Sequence, residues 1–496
     1  MNQEPGIYDV VVVGGGINGA GIAADAAGRG LRVALCEQGD LAGATSSAST
    51  KLVHGGLRYL ETYEFRLVRK ALKESELLLE LAPHLIQPIS IHIPYMAHHR
   101  PWLLIRLGLL LYNNLAPRPS YKKARSINFD PDSPLIKELT RGFIFSDGQV
   151  DDARLVILNA MQAARDSADV FVHHQCLAMS SVNGCWELIL RNQLQGSEKV
   201  LRSRTVVNAT GPWVNQFVEN VVKAKPRKTV RLVKGSHIIV PSIQPPDRAF
   251  LLQNKDGRVV FVIPYKQDYS LIGTTEEEFT GDPYNAKIST QETEYLIKVV
   301  NSYFRQPISK EDITHTYAGI RPLVGEKNQS ATKASRDYRL EFENTSLPLL
   351  SVYGGKVTTY RILAEQAVEK LGKYLGNISE SKTSKQKLPG GNIESRDKLF
   401  DSLMSEYPWL PVEIAKRWVG SYGSISFDLL AGTKGRDDLG LDFGYGLTQK
   451  EVDYLIREEW ATSVEDILWR RTKLGLEFDK TQIARLNQYL LDKLTG

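Results

Sequence analysis

At 496 residues, with 42% hydrophobic and 24% charged positions, the chain is too long for one core and ordinary in composition, which excludes disordered and fibrous classes and suggests about two to four domains. A formal net charge of +5 is modest at this size: it suits an anionic small molecule or an anionic membrane surface and does not indicate nucleic acid. The three cysteines, Cys36, Cys176 and Cys185, form no CxxC pair and no metal spacing, in keeping with a reducing cytoplasm and no metal site, and the start MNQEPGIYDV lacks the regions of a signal peptide.

Asp9 to Val13 is a β-branched run of the kind buried on both faces of a parallel sheet. Gly14, Gly16 and Gly19 follow with GxGxxG spacing: the first makes the turn, the second admits a pyrophosphate, and the third lets helix pack on strand. The next helix aims unpaired N–H groups and a partial positive charge at the phosphates. A second strand, Leu31 to Cys36, ends at Glu37, about 20 residues on, where an acid binds a ribose hydroxyl. Strand, glycines, helix and acid together predict a dinucleotide site, for NAD and FAD alike.

Asp40 to Leu60 is rich in small residues, with Gly55 and Gly56 beside His54, and lets backbone lie against a large flat ligand. Glu61 to Leu81 reads as a helix with Phe65, Val68 and Leu72 on one face, Arg66, Arg69, Lys70 and Lys73 on the polar side, and a stop before Pro83. His98 to Leu115, HHRPWLLIRLGLLLYNNL, is dense in leucine and flanked by Arg100, Arg106 and Arg118. It fits a surface that dips into a membrane interface and equally an ordinary buried helix. No run of about 18 uncharged apolar residues exists to span a bilayer.

Asp151 and Asp152 cap a helix running to about Ala168. Asn183-Gly184 marks a hairpin, and Thr205 to Val214, TVVNATGPWV, is a strand ending in a sharp turn. From Thr229 to Tyr265 the chain is β-rich, with the polar cluster Lys234-Gly235-Ser236-His237, and a strand from Ser270 ends in Gly273-Thr274-Thr275. A helix near Gln291 to Phe304 interrupts this sheet, which resumes at Ile313 to Leu323. Leu349 to Val352 leads to Gly354-Gly355-Lys356 and a helix from about Thr358, repeating the opening order of strand, glycines and helix N-terminus. Residues 379–392 have linker composition, and beyond them Val452, Leu455, Ile456 and Trp460 recur at helical spacing in a domain with no evident catalytic constellation, read as capping or assembly.

VVVGGGINGAGIAADAAGRG, ATSSASTKLVHGGLRYLE, VDDARL, NATGPWV, KGSH, GIRPL, GGKVTTYR and EDILWRRT occur in this order over nearly the whole chain, which closely resembles the FAD-dependent glycerol-3-phosphate dehydrogenases of the aerobic, bacterial respiratory type. The resemblance implies an α/β fold with an α+β substrate domain: a Rossmann-like FAD-binding domain of the glycine/D-amino-acid oxidase type, an antiparallel-sheet substrate domain and a C-terminal α-helical domain. It places the discontinuous FAD domain at 1–88, 142–225 and 348–378 and a substrate-binding, membrane-facing domain at 89–141 and 226–347. The linker is then 379–392 and the helical domain 393–496.

The resemblance also implies that Gly14, Gly15, Gly16, Asn18 and Gly19 hold the FAD pyrophosphate and that Glu37 and Gln38 meet the adenosine ribose. Thr45, Ser46 and Ser47 offer hydroxyls, Ala209, Thr210 and Gly211 close over the cofactor, and His54, Gly55, Gly56, Gly355, Lys356, Val357 and Thr358 line its flavin end. Arg58, Arg321, Arg336, Lys356 and His237 gather the phosphorylated substrate, since arginine's planar fork suits phosphate. The implied reaction takes hydride from carbon 2 of sn-glycerol-3-phosphate while a base takes the hydroxyl proton. His237 is preferred as base, Arg321 stabilises the alkoxide, and Lys356 is the alternative base if burial holds it neutral. Electrons then pass to membrane quinone from a cytoplasmic enzyme attached peripherally to an anionic inner or plasma membrane, with a homodimer among the expected assemblies. A glycerophosphate oxidase that reduces oxygen and, more remotely, a non-catalytic flavin-binding interaction protein are the competing readings.

Overall fold

The β-branched opening becomes the strand Ile7–Val13 of an eight-stranded sheet in the computed structural model, which describes residues 6–96, 100–325 and 337–495. Val10, Val11 and Val12 are fully buried, each stabilising the fold by roughly 1.5–3 kcal/mol. The strand pairs in parallel with Glu198–Asn208 on one side and Val33–Cys36 on the other, and the parallel order continues to Leu349–Tyr353 and Asp169–Phe171. Such neighbours require crossovers, and the first is the helix Ile17–Gly28. It packs on the helices Asp152–Arg165 and Tyr360–Leu375, and a Cβ on Gly21 would lie 2.7 Å from the Tyr360 ring, so its glycine and alanine content is a condition of close helix approach. The FAD-type architecture expected from the sequence is present.

The second sheet has ten strands among the described residues. Its longest strand, Val230–Pro241, is antiparallel to Tyr269–Gly273 on one side and to His315–Val324 on the other. The sheet is antiparallel except where Arg248–Gln253 runs parallel to Ile86–Pro94. Strand Arg141–Val150 pairs with Ile86–Pro94, so residues 142–150, which the sequence reading grouped with the cofactor domain, join the second sheet, as does Leu52–Val53. Both segments are almost wholly buried, and a buried strand carries no periodicity that says which sheet it enters.

The last hundred residues form the expected helical domain, from Arg396–Glu406 to Lys480–Thr495. Its buried Trp418, Tyr422 and Leu455 share one apolar cluster with Val10, Ala23 and Leu363 of the first domain. Residues 379–392 contribute neither helix nor strand, yet they are strapped down: the Leu388 amide donates to the Leu81 carbonyl at 3.0 Å, and Gly390 lies against Tyr422.

The leucine-rich segment folds as the helix Trp102–Asn114, and only Leu109 and Tyr112 of it are buried. Leu103 and Leu110 are 74% and 58% exposed, with Leu104, Leu107 and Leu111 beside them, so the buried-helix alternative is excluded. Arg106 is exposed on the same helix, whereas Arg118, read from the sequence as a flanking surface base, is buried against Asp147 at 2.9 Å and over the Tyr121 ring. Among the described residues no helix is long and apolar enough to cross a membrane.

Candidate active site

A cavity of about 1070 Å³ opens between the two sheets. One wall is the glycine turn. Gly14 has φ +112°, and a Cβ there would lie 2.7 Å from the Ala209 carbonyl carbon, so the turn needs glycine both for its backbone and for the neighbouring Ala209-Thr210 segment. Gly14, Gly16, Asn18, Ala209, Thr210 and Gly211 all line the cavity. Gly15 and Gly19 do not: Gly15 is pressed on Glu37 and Leu41, and Gly19 on the Gly14 carbonyl, so they shape the turn from behind.

Glu37 stands at one end with Gln38. Its two carboxylate oxygens accept the amides of Gly15 at 2.6 Å and Gly39 at 2.8 Å. Burial pushes this carboxyl above the ordinary range, and the two amides oppose that shift. Gln38 donates to the Tyr284 hydroxyl at 2.8 Å, and Tyr284 stacks on Trp213 with centroids 4.5 Å apart, closing this end from the second domain. Neither aromatic was foreseen as part of the site.

Along the floor, Ser46 Oγ accepts the Ile17 amide at 3.0 Å, and Thr45 donates to the Ile320 carbonyl at 2.7 Å, tying the cofactor loop to the second sheet. Ser47 and Gly55 are behind the wall: Ser47 donates to the Ala44 carbonyl at 3.2 Å, and the Gly55 amide donates to the Tyr112 hydroxyl at 3.0 Å. His54, Gly56, Gly355, Lys356, Val357 and Thr358 face the cavity, with Thr358 Oγ1 accepting the His54 amide at 3.2 Å. Lys356 precedes the helical turn Val357–Thr359 and holds its Nζ 3.9 Å from the Tyr59 ring centroid. Among the described residues that buried ammonium has no hydrogen-bond partner, and neither has the buried Asn18 Oδ1. Unpaired buried polar groups are costly, so a polar or anionic ligand fits here.

His237 and Arg321 come from adjacent strands of the second sheet and line the same cavity. His237 is 1% exposed and stacks on Tyr317 with centroids 4.8 Å apart and planes at 21°. Its Nε2 lies 3.0 Å from Thr50 Oγ1, and its buried Nδ1 has no hydrogen-bond partner among the described residues. Burial first, then the charges of Arg321 and Lys51, hold the imidazole well below its ordinary pKa, so the ring is neutral. Arg321 Nη2 donates to Thr274 Oγ1 at 2.8 Å. Gly235 leaves the space for that guanidinium, since a Cβ would lie 2.8 Å from Arg321 Cζ, and Gly273 leaves the space for the His237 ring. Thr50, Thr274 and Tyr317 are the partners the sequence reading missed; only Thr274, at a noted strand end, carried a signal. Arg336 lies outside the described residues, as does the side chain of Arg58. Among the described residues no group of acidic, histidine and cysteine side chains could hold a metal ion.

Comparison with known proteins agrees with this geometry. The family model described as FAD dependent oxidoreductase matches residues 9–361, and that of the C-terminal domain of alpha-glycerophosphate oxidase matches 381–488. The chain is 49% identical over 487 residues to glycerol-3-phosphate dehydrogenase of Pseudomonas aeruginosa, covering 98% of this chain and 95% of the relative. It is 43% identical over 487 residues to D-erythritol 1-phosphate dehydrogenase of Brucella abortus, covering 97% of each. The solved glycerol-3-phosphate dehydrogenase of Bacillus halodurans, complexed with FAD, superposes with a TM-score of 0.78 at 25% identity, over 99% of this chain and 91% of that one.

Proposed function

The chain belongs to the FAD-dependent glycerol-3-phosphate dehydrogenase family, and on that premise we propose that it oxidises sn-glycerol-3-phosphate to dihydroxyacetone phosphate and delivers the electrons to a membrane quinone. The observation that carries the reading is one cavity holding a neutral imidazole, a guanidinium and an unpartnered buried ammonium beyond a dinucleotide turn. FAD supplies the hydride acceptor when bound. The turn at Gly14 and Gly16 and the N-terminus of Ile17–Gly28 receive its pyrophosphate, Glu37 its ribose, and Lys356 and Thr358 its flavin end.

The chain's own residues move the proton. His237 takes the substrate hydroxyl proton, and Thr50 Oγ1, 3.0 Å from its Nε2, fixes the ring. A lowered pKa makes the imidazole a weaker base, and Arg321 offsets this by stabilising the alkoxide that forms beside it. Arg58 and Arg336 are assigned to the substrate phosphate on the strength of their motifs.

The exposed leucines of Trp102–Asn114, together with exposed Tyr63, Phe65, Arg66, Arg69 and Arg106, support seating on an anionic lipid surface. A cavity lining that includes Leu104, Leu107 and Leu111 supports electron exit to a quinone on that side.

The test is anaerobic addition of glycerol 3-phosphate to the purified holoprotein: prompt bleaching of the visible flavin band is expected, and an unbleached band overturns the reading. Turnover with a soluble quinone analogue is expected, whereas stoichiometric hydrogen peroxide with no quinone reduction selects the oxidase. The resemblance to D-erythritol 1-phosphate dehydrogenase favours a four-carbon polyol phosphate as the second reading. A higher kcat/KM for D-erythritol 1-phosphate would select it.

A further inference from the structure

The strand His315–Val324 carries Arg321 on the face that repeats every second residue through Gly319, Tyr317 and His315. Tyr317 stacks on His237 and donates its hydroxyl to the Ser49 carbonyl at 2.8 Å. His315, further along the same face, stacks on Trp469 with centroids 3.9 Å apart and planes at 20°. Trp469 belongs to the helical turn Asp466–Arg471 of the C-terminal domain. One face of a single strand therefore meets that domain at His315 and the reaction end of the cavity, two residues on, at Tyr317.

The same turn grips the loop that bears Thr50. Arg471 donates two hydrogen bonds to the Asp40 carboxylate, at 2.5 and 2.8 Å, and Arg470 pairs with the same group. Two residues on, Lys473 donates to Asp151 Oδ1 at 2.6 Å. The adjacent Asp152 accepts from Lys51 Nζ at 2.7 Å and from the Ser49 amide and hydroxyl at 3.1 and 2.7 Å. Lys51 Nζ in turn lies 5.4 Å from the Tyr317 ring centroid. Asp40, Lys51, Asp152, Arg471 and Lys473 are all buried. Taking one partner from such a set strands an uncompensated charge in the interior, so residues 49–51 move only if the whole set rearranges.

Resting on the reading of His237 as the base, we propose that Trp469 and Lys473 are positioning residues for the reaction: the C-terminal domain holds the loop that sets Thr50 against His237 and so completes the active site. The effect is on alignment and not on cofactor affinity, because neither residue lines the cavity.

The experiment compares wild-type holoenzyme with Lys473→Met, Lys473→Arg, Trp469→Ala and Trp469→Phe. Three quantities are read: the visible flavin spectrum, kcat and KM for anaerobic flavin reduction by glycerol 3-phosphate, and hydrogen exchange of the peptide 45–54. Lys473→Met and Trp469→Ala should keep the flavin band, hold KM within about twofold, lower kcat about tenfold and speed exchange in 45–54. Lys473→Arg and Trp469→Phe should restore both kcat and exchange. Unchanged kcat and exchange overturn the proposal, as does equal loss of flavin and rate in the Met and Arg variants, which would mark a merely structural prop. If the wild-type flavin is not reduced by glycerol 3-phosphate, the reading of the reaction fails, and the exchange comparison alone decides whether the turn holds the loop.

Discussion

At the scale of single residues, the site turns on a histidine that is neutral in the resting protein. The His237 pKa lies well below the ordinary 6.5, so protonation cannot switch the base off near neutrality. The anaerobic rate of flavin reduction should show no ascending limb centred at 6.5; such a limb would place a titrating imidazole in the step. Thr50→Val removes the hydroxyl that fixes the ring and should slow flavin reduction about tenfold, or ~1.4 kcal/mol, with the flavin spectrum unchanged and Thr50→Ser close to wild type. His237, Arg321 and Lys356 were named from the motifs KGSH, GIRPL and GGK, and all three line one cavity. Thr50 was not named, since a hydroxyl within SSAST has no pattern of its own and its partner is 187 positions away.

At the scale of elements, the opening strand, glycine turn and helix were readable because each obeys a local rule, from β-branched burial to the close approach at Gly14. The helix Trp102–Asn114 was readable as a helix but not in its surroundings, because leucine content does not say what covers the leucines. Its anchor is local and polar: Tyr112 donates to Asp147 at 2.8 Å while accepting the Gly55 amide. That leaves the outer leucines free of structural duty. The double variant Leu103→Ser, Leu110→Ser should therefore keep anaerobic flavin reduction within about twofold and weaken co-sedimentation with anionic liposomes. Each leucine transferred from water to acyl chains contributes up to roughly 1.5–3 kcal/mol. Undiminished liposome binding would remove this helix from the membrane reading.

At the scale of the whole molecule, the sheet that takes Arg141–Val150 was not legible, because that assignment depends on partners distant in sequence. The same holds for the junction with the C-terminal domain. His84, which no sequence motif marks, is fully buried there, with Gly390 and Gly423 against its ring and, among the described residues, no hydrogen-bond partner for either ring nitrogen. Burial, then Arg154 and Arg396, lower its pKa from 6.5 to about 3. Between those values the unfolded chain binds a proton that the native chain does not, so stability is greatest above 6.5 and falls as pH falls, by ~1.4 kcal/mol per unit for this one group. Buried His237 adds to the same trend. His84→Leu, which keeps the apolar contacts and removes the proton site, should lessen the loss of unfolding free energy between pH 7 and pH 5 by about 2 kcal/mol. Denaturant titrations at the two pH values measure this directly. An equal loss in variant and wild type would mean that His84 is protonated in the native protein, and the junction between the domains would then have to admit water or an acid beside the ring.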